Sequence, residues 1–284
     1  MIPAAFDYTC PAGLDEAVSS LAEAGEDAKL LAGGQSLVPV LRLRLAVPTV
    51  LVDLGRVEEL RGVRDDGDAL VIGAMTTHHD VLADPLVREH APLLALATET
   101  VGDRQVRNVG TVGGSIAHAD PAGDLPAVAV ALDAEMVIAN GGGRRTVPAR
   151  EFFVDYLTTV LQPDDVLVEV RVPKLGGWGV HYEKFHRTAQ AWAIVGVAAA
   201  VRRENGSVAQ ARVTLTNMGS VPIRCTSVEQ ALAGGDASSD AVAAAAEHAT
   251  EGTSPSADQN ASPDYRQHLA RVLTGRAVAK AAGL

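Results

Sequence analysis

Two glycine-rich segments carry the residue types from which a cofactor site could be built. The first is Leu30–Pro39, LLAGGQSLVP. An apolar run enters Gly33 and Gly34 and continues into Gln35, Ser36 and Leu37. Glycine lets the backbone turn tightly and brings N–H groups up to a ligand with no Cβ in the way. A row of such N–H groups cradles a phosphate, and the Ser36 hydroxyl adds a donor. A plain β-turn would have the same composition. The second segment is Asn108–Leu125, NVGTVGGSIAHADPAGDL, where Gly110, Gly113 and Gly114 stand beside Thr111 and Ser115. Two such segments in one chain fit a ligand with two phosphates, and a dinucleotide is the obvious candidate. The GxGxxG spacing of the common dinucleotide fold is absent, so the site is of another kind.

Other reactive residue types point less far. His78-His79 and His118-x-Asp120 invite a metal, but adjacent histidines point in different directions and no third ligand has zinc spacing. The expected use of His118 and Asp120 is bonding to backbone within the second segment. Arg104 and Arg107 stand three residues apart ahead of that segment; they either neutralise a phosphate or form a solvated face. Cys10 and Cys225 make no CxxC pair and are expected to be inert. No GxSxG elbow exists, which removes Ser36 and Ser115 as nucleophiles. Asp164-Asp165 follows Pro163 and reads as a turn rather than an acid–base pair.

The elements that must position these residues are partly legible. Leu14–Ala24 has apolar residues at helical spacing and is closed by Gly25. Lys29–Ala32, Val50–Leu54 and Ala69–Ile72 read as strands. Val81–Leu86 and Ala91–Val101 read as helices, Arg107–Gly123 as a turn-rich segment, and Ala127–Ala139 as the carrier of a strand. Pro173–Gly179 is a glycine-rich break that opens a second half. There, Asn205-Gly206 joins strands Val195–Arg202 and Ala209–Leu215 in a hairpin. Val228–Leu232, Ala241–Thr250 and Tyr265–Ala282 read as helices around a polar loop, Gly252–Pro263. Strands and helices come in blocks rather than strict βαβ alternation, which is the α+β class.

Composition excludes several functions. The 284 residues hold 24 Lys and Arg against 35 Asp and Glu, a net charge of −11. That balance opposes binding to nucleic acid or anionic lipid. Aromatics at 4% leave no stacking platform for single strands. Two cysteines cannot hold an iron–sulfur cluster or a disulfide framework. No apolar run approaches the ~20 residues that cross a bilayer. The start, MIPAAFDYTCPAG, has no basic region followed by an apolar stretch, so no signal peptide and a cytoplasmic location are expected.

LLAGGQSL, followed by TVGGSIAHADPAGDLP, resembles the FAD-binding medium subunit of the molybdenum hydroxylases, the carbon monoxide dehydrogenase and xanthine dehydrogenase relatives. The likeness runs along the whole chain and includes a third block: DDVLVEVRVP, then YEKFHR, then WAIVGVA. The resemblance implies an α+β fold with a PCMH-type FAD-binding domain over residues 1–176, itself two α/β subdomains of about 1–55 and 56–176. A C-terminal α+β domain, a small antiparallel sheet with helices, would cover 177–284. It implies that Leu31, Ala32, Gly33, Gly34, Gln35, Ser36 and Leu37 wrap the FAD pyrophosphate. Thr111, Gly113, Gly114 and Ser115 would do so from the other side. Val101 joins the cofactor site, Asp124 hydrogen-bonds the cofactor, Leu167 packs against it, and Lys184 stands near the flavin. Trp192 falls where relatives place an aromatic beside the isoalloxazine, although a core position would suit it equally. Many carbon monoxide dehydrogenases carry His where this chain has Gln35.

The implied activity is electron relay, with no catalytic side chain of its own and no metal in this chain. Substrate is oxidised at a molybdenum cofactor on a large partner subunit. [2Fe–2S] clusters on a small subunit pass electrons to FAD here, and an external acceptor takes them on. The expected assembly is a dimer of heterotrimers, without nucleic acid, weakly associated through the complex with membrane electron acceptors. The implied complex is carbon monoxide dehydrogenase-like, with an aldehyde, xanthine or N-heterocycle dehydrogenase as the alternative; the rival readings from other classes are a stand-alone flavin oxidase and a colourless binding module.

Overall fold

The computed structural model describes residues 2–284. Its first 53 residues alternate strictly: β1 (Asp7–Thr9), α1 (Leu14–Ala24), β2 (Ala28–Leu31), α2 (Leu37–Arg42) and β3 (Val50–Asp53). The strands form a parallel sheet in the order β1-β3-β2. This is a local exception to the block arrangement, and it works because α1 buries Leu14, Ala17, Val18 and Leu21 along one face.

A five-stranded antiparallel sheet follows, built from β4 (Val63–Asp66), β5 (Ala69–Gly73), β6 (Glu135–Asn140), β7 (Gly143–Pro148) and, much later, β10 (Val166–Pro173). Its order is β4-β5-β10-β6-β7. Between β5 and β6 run α3 (His78–Ala83), α4 (Pro85–His90), α5 (Pro92–Glu99), α6 (Arg104–Val109), α7 (Val112–His118) and α8 (Asp124–Ala131). After β7 come α9 (Ala149–Phe152) and a small ribbon, β8 (Phe153–Asp155) with β9 (Thr158–Thr159).

Two expectations are corrected here, and a third is sharpened. The helical run at Val81–Leu86 is cut by Asp84-Pro85: the Asp84 carboxylate accepts from the Leu86 and Val87 N–H groups and starts α4. The turn-rich segment Arg107–Gly123 is mostly helix. Asp103 caps α6 and Thr111 caps α7, and caps of that kind overcome the weak helix propensity of glycine. The strand expected within Ala127–Ala139 is β6, and the apolar residues ahead of it belong to α8, every residue of which is buried. Its uninterrupted apolar run has the same appearance in a buried helix as in a buried strand.

The last layer is an antiparallel sheet of β11 (Trp178–Phe185), β12 (Val195–Glu204), β13 (Ser207–Thr216) and β14 (Ile223–Arg224). Asn205 and Gly206 both take positive φ, +51° and +87°, as the hairpin predicted from the sequence requires. α10 (Thr226–Leu232), α11 (Ser239–Ala246) and α12 (Pro263–Ala282) pack on its far face.

Three cores separate the layers. One lies between the parallel sheet and the five-stranded sheet. A second fills the space between the five-stranded sheet, α5, α7 and α8, and one face of β11–β12. A third lies under α10–α12. β12 is buried on both faces: Val197, Ala199 and Val201 face the third core, and Ala198 and Ala200 the second. In β10 a bulge between Leu167 and Glu169 reverses that alternation. Val166 and Val168 face the first core, while Val170 and Val172 face the second.

Candidate functional site

The two glycine segments meet backbone to backbone. β2 ends at Leu31, Gly34 turns the chain at φ +67°, and α2 begins at Leu37. A Cβ on Gly33 would lie 2.3 Å from Val109 O and 2.7 Å from the Gly110 Cα, so only glycine permits this approach.

The segments use their N–H groups differently. Those of Gly33, Gly34, Gln35, Ser36 and Leu37 have no acceptor among the described residues. In the second segment the donors are taken. Val112 N–H donates to Thr76 O at 3.0 Å and Gly113 N–H to Ala74 O at 2.8 Å. Gly114 N–H donates to Thr111 Oγ1 at 3.2 Å, and Ser115 N–H to Thr111 O at 3.0 Å. The second segment therefore offers a surface and hydroxyls instead of the expected row of free amides.

Between them opens a cleft of about 540 Å³, within the usual range for small-molecule sites. Ala32, Gly33, Gly34, Gln35, Ser36 and Leu37 line one side. Thr111, Gly114, Ser115, Val101 and Asp124 line the other, and Lys184 and Trp192 reach in from the last sheet. Three of the expected residues lie off the cleft. Leu31 belongs to the end of β2. Gly113 packs against β5, where a Cβ would sit 2.4 Å from that of Ala74. Leu167 is 5% exposed and, ahead of the β10 bulge, faces the second core.

Asp124 and Lys184 form a buried pair, Nζ to Oδ2 2.8 Å, with both side chains almost wholly covered. Tyr182 OH donates to Asp124 Oδ1 at 2.6 Å, and the Lys184 ammonium also donates to Thr100 O at 3.1 Å. Burial pushes the Asp124 carboxyl above its ordinary value, against the opposing pull of the Lys184 charge and the Tyr182 hydroxyl. Burial and the Asp124 charge hold the Tyr182 phenol well above its ordinary value, so it stays protonated and donating. Two of the three ammonium hydrogens of Lys184 are engaged, which leaves one for a ligand.

His78 also lines the cleft, a role the sequence did not reveal. Its backbone N–H donates to Gly110 O at 2.9 Å, and its ring lies under Gly110. Burial, with the Arg107 charge nearby, lowers it to about 4, so the imidazole is neutral at pH 7; Nδ1 has no partner. Val40, Val106 and Leu157 add apolar wall. Leu157 arrives from the β8–β9 ribbon, far away in sequence and with no pattern to announce it. Arg107 donates to Val101 O at 2.9 Å and Glu99 O at 3.2 Å, closing the end of α5 rather than facing a phosphate. Asp120 accepts from Ala122 N–H at 2.8 Å, the backbone role expected of it. Trp192 is 55% exposed, which removes the core alternative.

Free amides, hydroxyls and one ammonium facing an apolar wall are the donor set of a protein that binds a nucleotide cofactor. The comparisons with known proteins sharpen that class. The family described as "FAD binding domain in molybdopterin dehydrogenase" matches residues 4–175, and "CO dehydrogenase flavoprotein C-terminal domain" matches residues 180–281. The carbon monoxide dehydrogenase medium chain of Hydrogenophaga pseudoflava is 42% identical, over 98% of this chain and 97% of its own. A subunit of the 6-hydroxypseudooxynicotine dehydrogenase complex of Paenarthrobacter nicotinovorans is 38% identical, over 99% and 96%. A solved carbon monoxide dehydrogenase from Hydrogenophaga pseudoflava superposes with a TM-score of 0.97 at 43% identity, covering 100% of this chain and 99% of that one. The chain belongs to the FAD-binding flavoprotein subunits of the molybdenum hydroxylase family.

Proposed function

We propose that FAD lies between the two glycine segments and that the chain is the electron-relay subunit of a carbon monoxide dehydrogenase-like complex. The carrying observation is the row of five N–H groups at residues 33–37, without an acceptor among the described residues, in a segment that lines an apolar-walled cleft. Such a row suits an anionic pyrophosphate. The wall of Val40, Val101, Val106, Leu157 and Trp192 suits flat ring systems. When bound, FAD supplies what no side chain here can: it takes electrons singly and passes on one or two.

The chain's own residues bind and orient. Ser36 and Ser115 bring hydroxyls to the cleft. Lys184 presents a fixed positive charge, held in place by Asp124, Tyr182 and Thr100 O. Trp192 covers one edge and limits water there. Gly113 and Leu167 support the site from behind, and Leu31 leads into it.

In this reading residues 1–176 carry the cofactor, as subdomains of about 1–55 and 56–176, and residues 177–284 cover its flank. A small [2Fe–2S] subunit and a large molybdenum subunit complete a dimer of heterotrimers. The assembly is cytoplasmic and reaches membrane acceptors only through weak contacts. That no helix among the described residues could cross a membrane accords with this. Substrate choice rests with the large subunit; carbon monoxide is the first candidate because of the 42% identical medium chain.

The test is co-expression with a small iron–sulfur subunit and a large molybdenum subunit, purification, acid release and identification of the pigment. One FAD per chain, with no substrate oxidation by the isolated subunit, is the expected result. A colourless subunit within an assembled complex would refute FAD binding, and turnover by the isolated chain would favour a stand-alone oxidase.

A further inference from the structure

The second glycine segment and the Trp192 segment come from distant parts of the chain, and one residue outside the cleft bonds beside both lining stretches. Asn217 follows β13 in the left-handed conformation, φ +63°. Its N–H donates to Pro121 O at 2.7 Å, behind the second glycine segment. Its side-chain Nδ2 donates to Ala193 O at 2.7 Å, one residue from Trp192. The next carbonyl, Ile194 O, accepts from Arg266 of α12, which is 1% exposed and paired with Asp258 at 2.7 Å. Ahead of Ala193 the restraints thin out. Gln190 reaches Asp103 through an exposed 2.8 Å bond, and Ala191 N–H donates to Thr188 O at 2.9 Å.

We infer that Asn217 is a positioning residue for the cofactor cleft: it ties the Trp192 segment to Pro121 and so fixes how far Trp192 stands over the opening. The tie itself is a property of this chain; its effect on cofactor binding rests on the FAD reading above. A left-handed position also accepts glycine or aspartate at low cost. Only asparagine adds an amide donor for Ala193 O. Aspartate would set a carboxylate oxygen against that carbonyl. A residue kept for its backbone conformation alone would lose nothing on replacement by glycine, and this separates the two roles.

The test uses the full chain. It has two tryptophans, and Trp178→Phe leaves Trp192 as the sole emitter. Phenylalanine keeps an aromatic ring under Arg212, whose guanidinium lies 4.7 Å from the Trp178 ring centre. Acrylamide quenching is read without added cofactor, and FAD is then titrated. Asn217→Gly should raise the quenching constant toward the fully exposed limit, roughly twofold for a residue now 55% exposed. It should weaken FAD binding by roughly fivefold, the scale of one neutral hydrogen bond. Asn217→Asp should exceed both effects. Hydrogen exchange over residues 190–195, in chains that keep Trp178, reads the same tie and should quicken in both variants. A glycine variant with native quenching and native exchange overturns the inference, because the amide then holds nothing. A native chain that takes up no FAD either alone or in the assembled complex would refute the proposed function and leave the quenching result standing.

Discussion

In the first glycine segment five successive N–H groups have no acceptor among the described residues; in the second, the four N–H groups from Val112 to Ser115 are bonded inside the protein. Both segments have the same residue types, and both were read as phosphate cradles. They differ in what surrounds them. The first leaves a parallel strand and enters a short helix with no side-chain cap. The second is fastened through Ala74 and Thr76 to the turn that follows β5 and is capped by Thr111. Glycine serves reach in one case and tight packing in the other. Composition alone cannot separate these uses, because the deciding partners lie about 40 residues upstream in sequence.

The harshest way to break this contrast is at Gly33, where the segments touch. Gly33→Val would drive a side chain into Val109 O and Gly110. It should cost about 3 kcal/mol and abolish flavin retention, seen as a fall in melting temperature together with loss of releasable FAD. A finer cut is Leu37→Pro against Leu37→Ala. Proline is tolerated at the first helical position but lacks the N–H. If the free amides hold the pyrophosphate, the proline variant should bind FAD roughly tenfold more weakly than the alanine one, together with a modest fall in melting temperature from the αR backbone of Ser36 ahead of the proline. Calorimetric titration giving equal affinities would show that this amide is idle.

In the second segment the expected loss is of stability. Thr111→Val removes the cap on α7 and should cost about 1 kcal/mol, measured by urea unfolding, with FAD affinity changing less than for Leu37→Pro. The smallest effect is expected far from both segments, at Asp165. Burial alone would raise its carboxyl. Arg145 at 2.7 and 2.5 Å, with the Gln162 N–H and the Asn140 amide, overcomes this and holds it below the ordinary value. That stabilisation is complete above the ordinary Asp value of about 4 and is lost as pH falls through the lowered one. Asp165→Asn should therefore flatten the acid limb of the stability curve while FAD affinity at pH 7 is unchanged.

Much of the framework was legible where periodicity is strong. The helices at Leu14–Ala24 and Tyr265–Ala282, and the Asn205-Gly206 hairpin, follow from apolar spacing and turn chemistry. The errors fall where local and tertiary terms compete. Glycines beside Thr111 looked like loop because their cap acts only once the helix forms. Leu167, which the resemblance places against the cofactor, lies in the second core just ahead of a bulge that the sequence does not announce. His78 and Leu157 join the cleft through chain reversals that carry no pattern of their own.

The centre of the five-stranded sheet is filled by its last strand to be made. β10 pairs with β5 on one side and β6 on the other, although about 90 residues separate it from β5. Until Val166–Pro173 leaves the ribosome, β4–β5 and β6–β7 are two separate ribbons with open edges. Closing such a distant pairing is slow, because loop entropy opposes it before any contact rewards it. The cleft wall supplied by Lys184 and Trp192 is synthesised later still. Cofactor loading is thus a late event in biogenesis, and an unfinished chain has nothing to load.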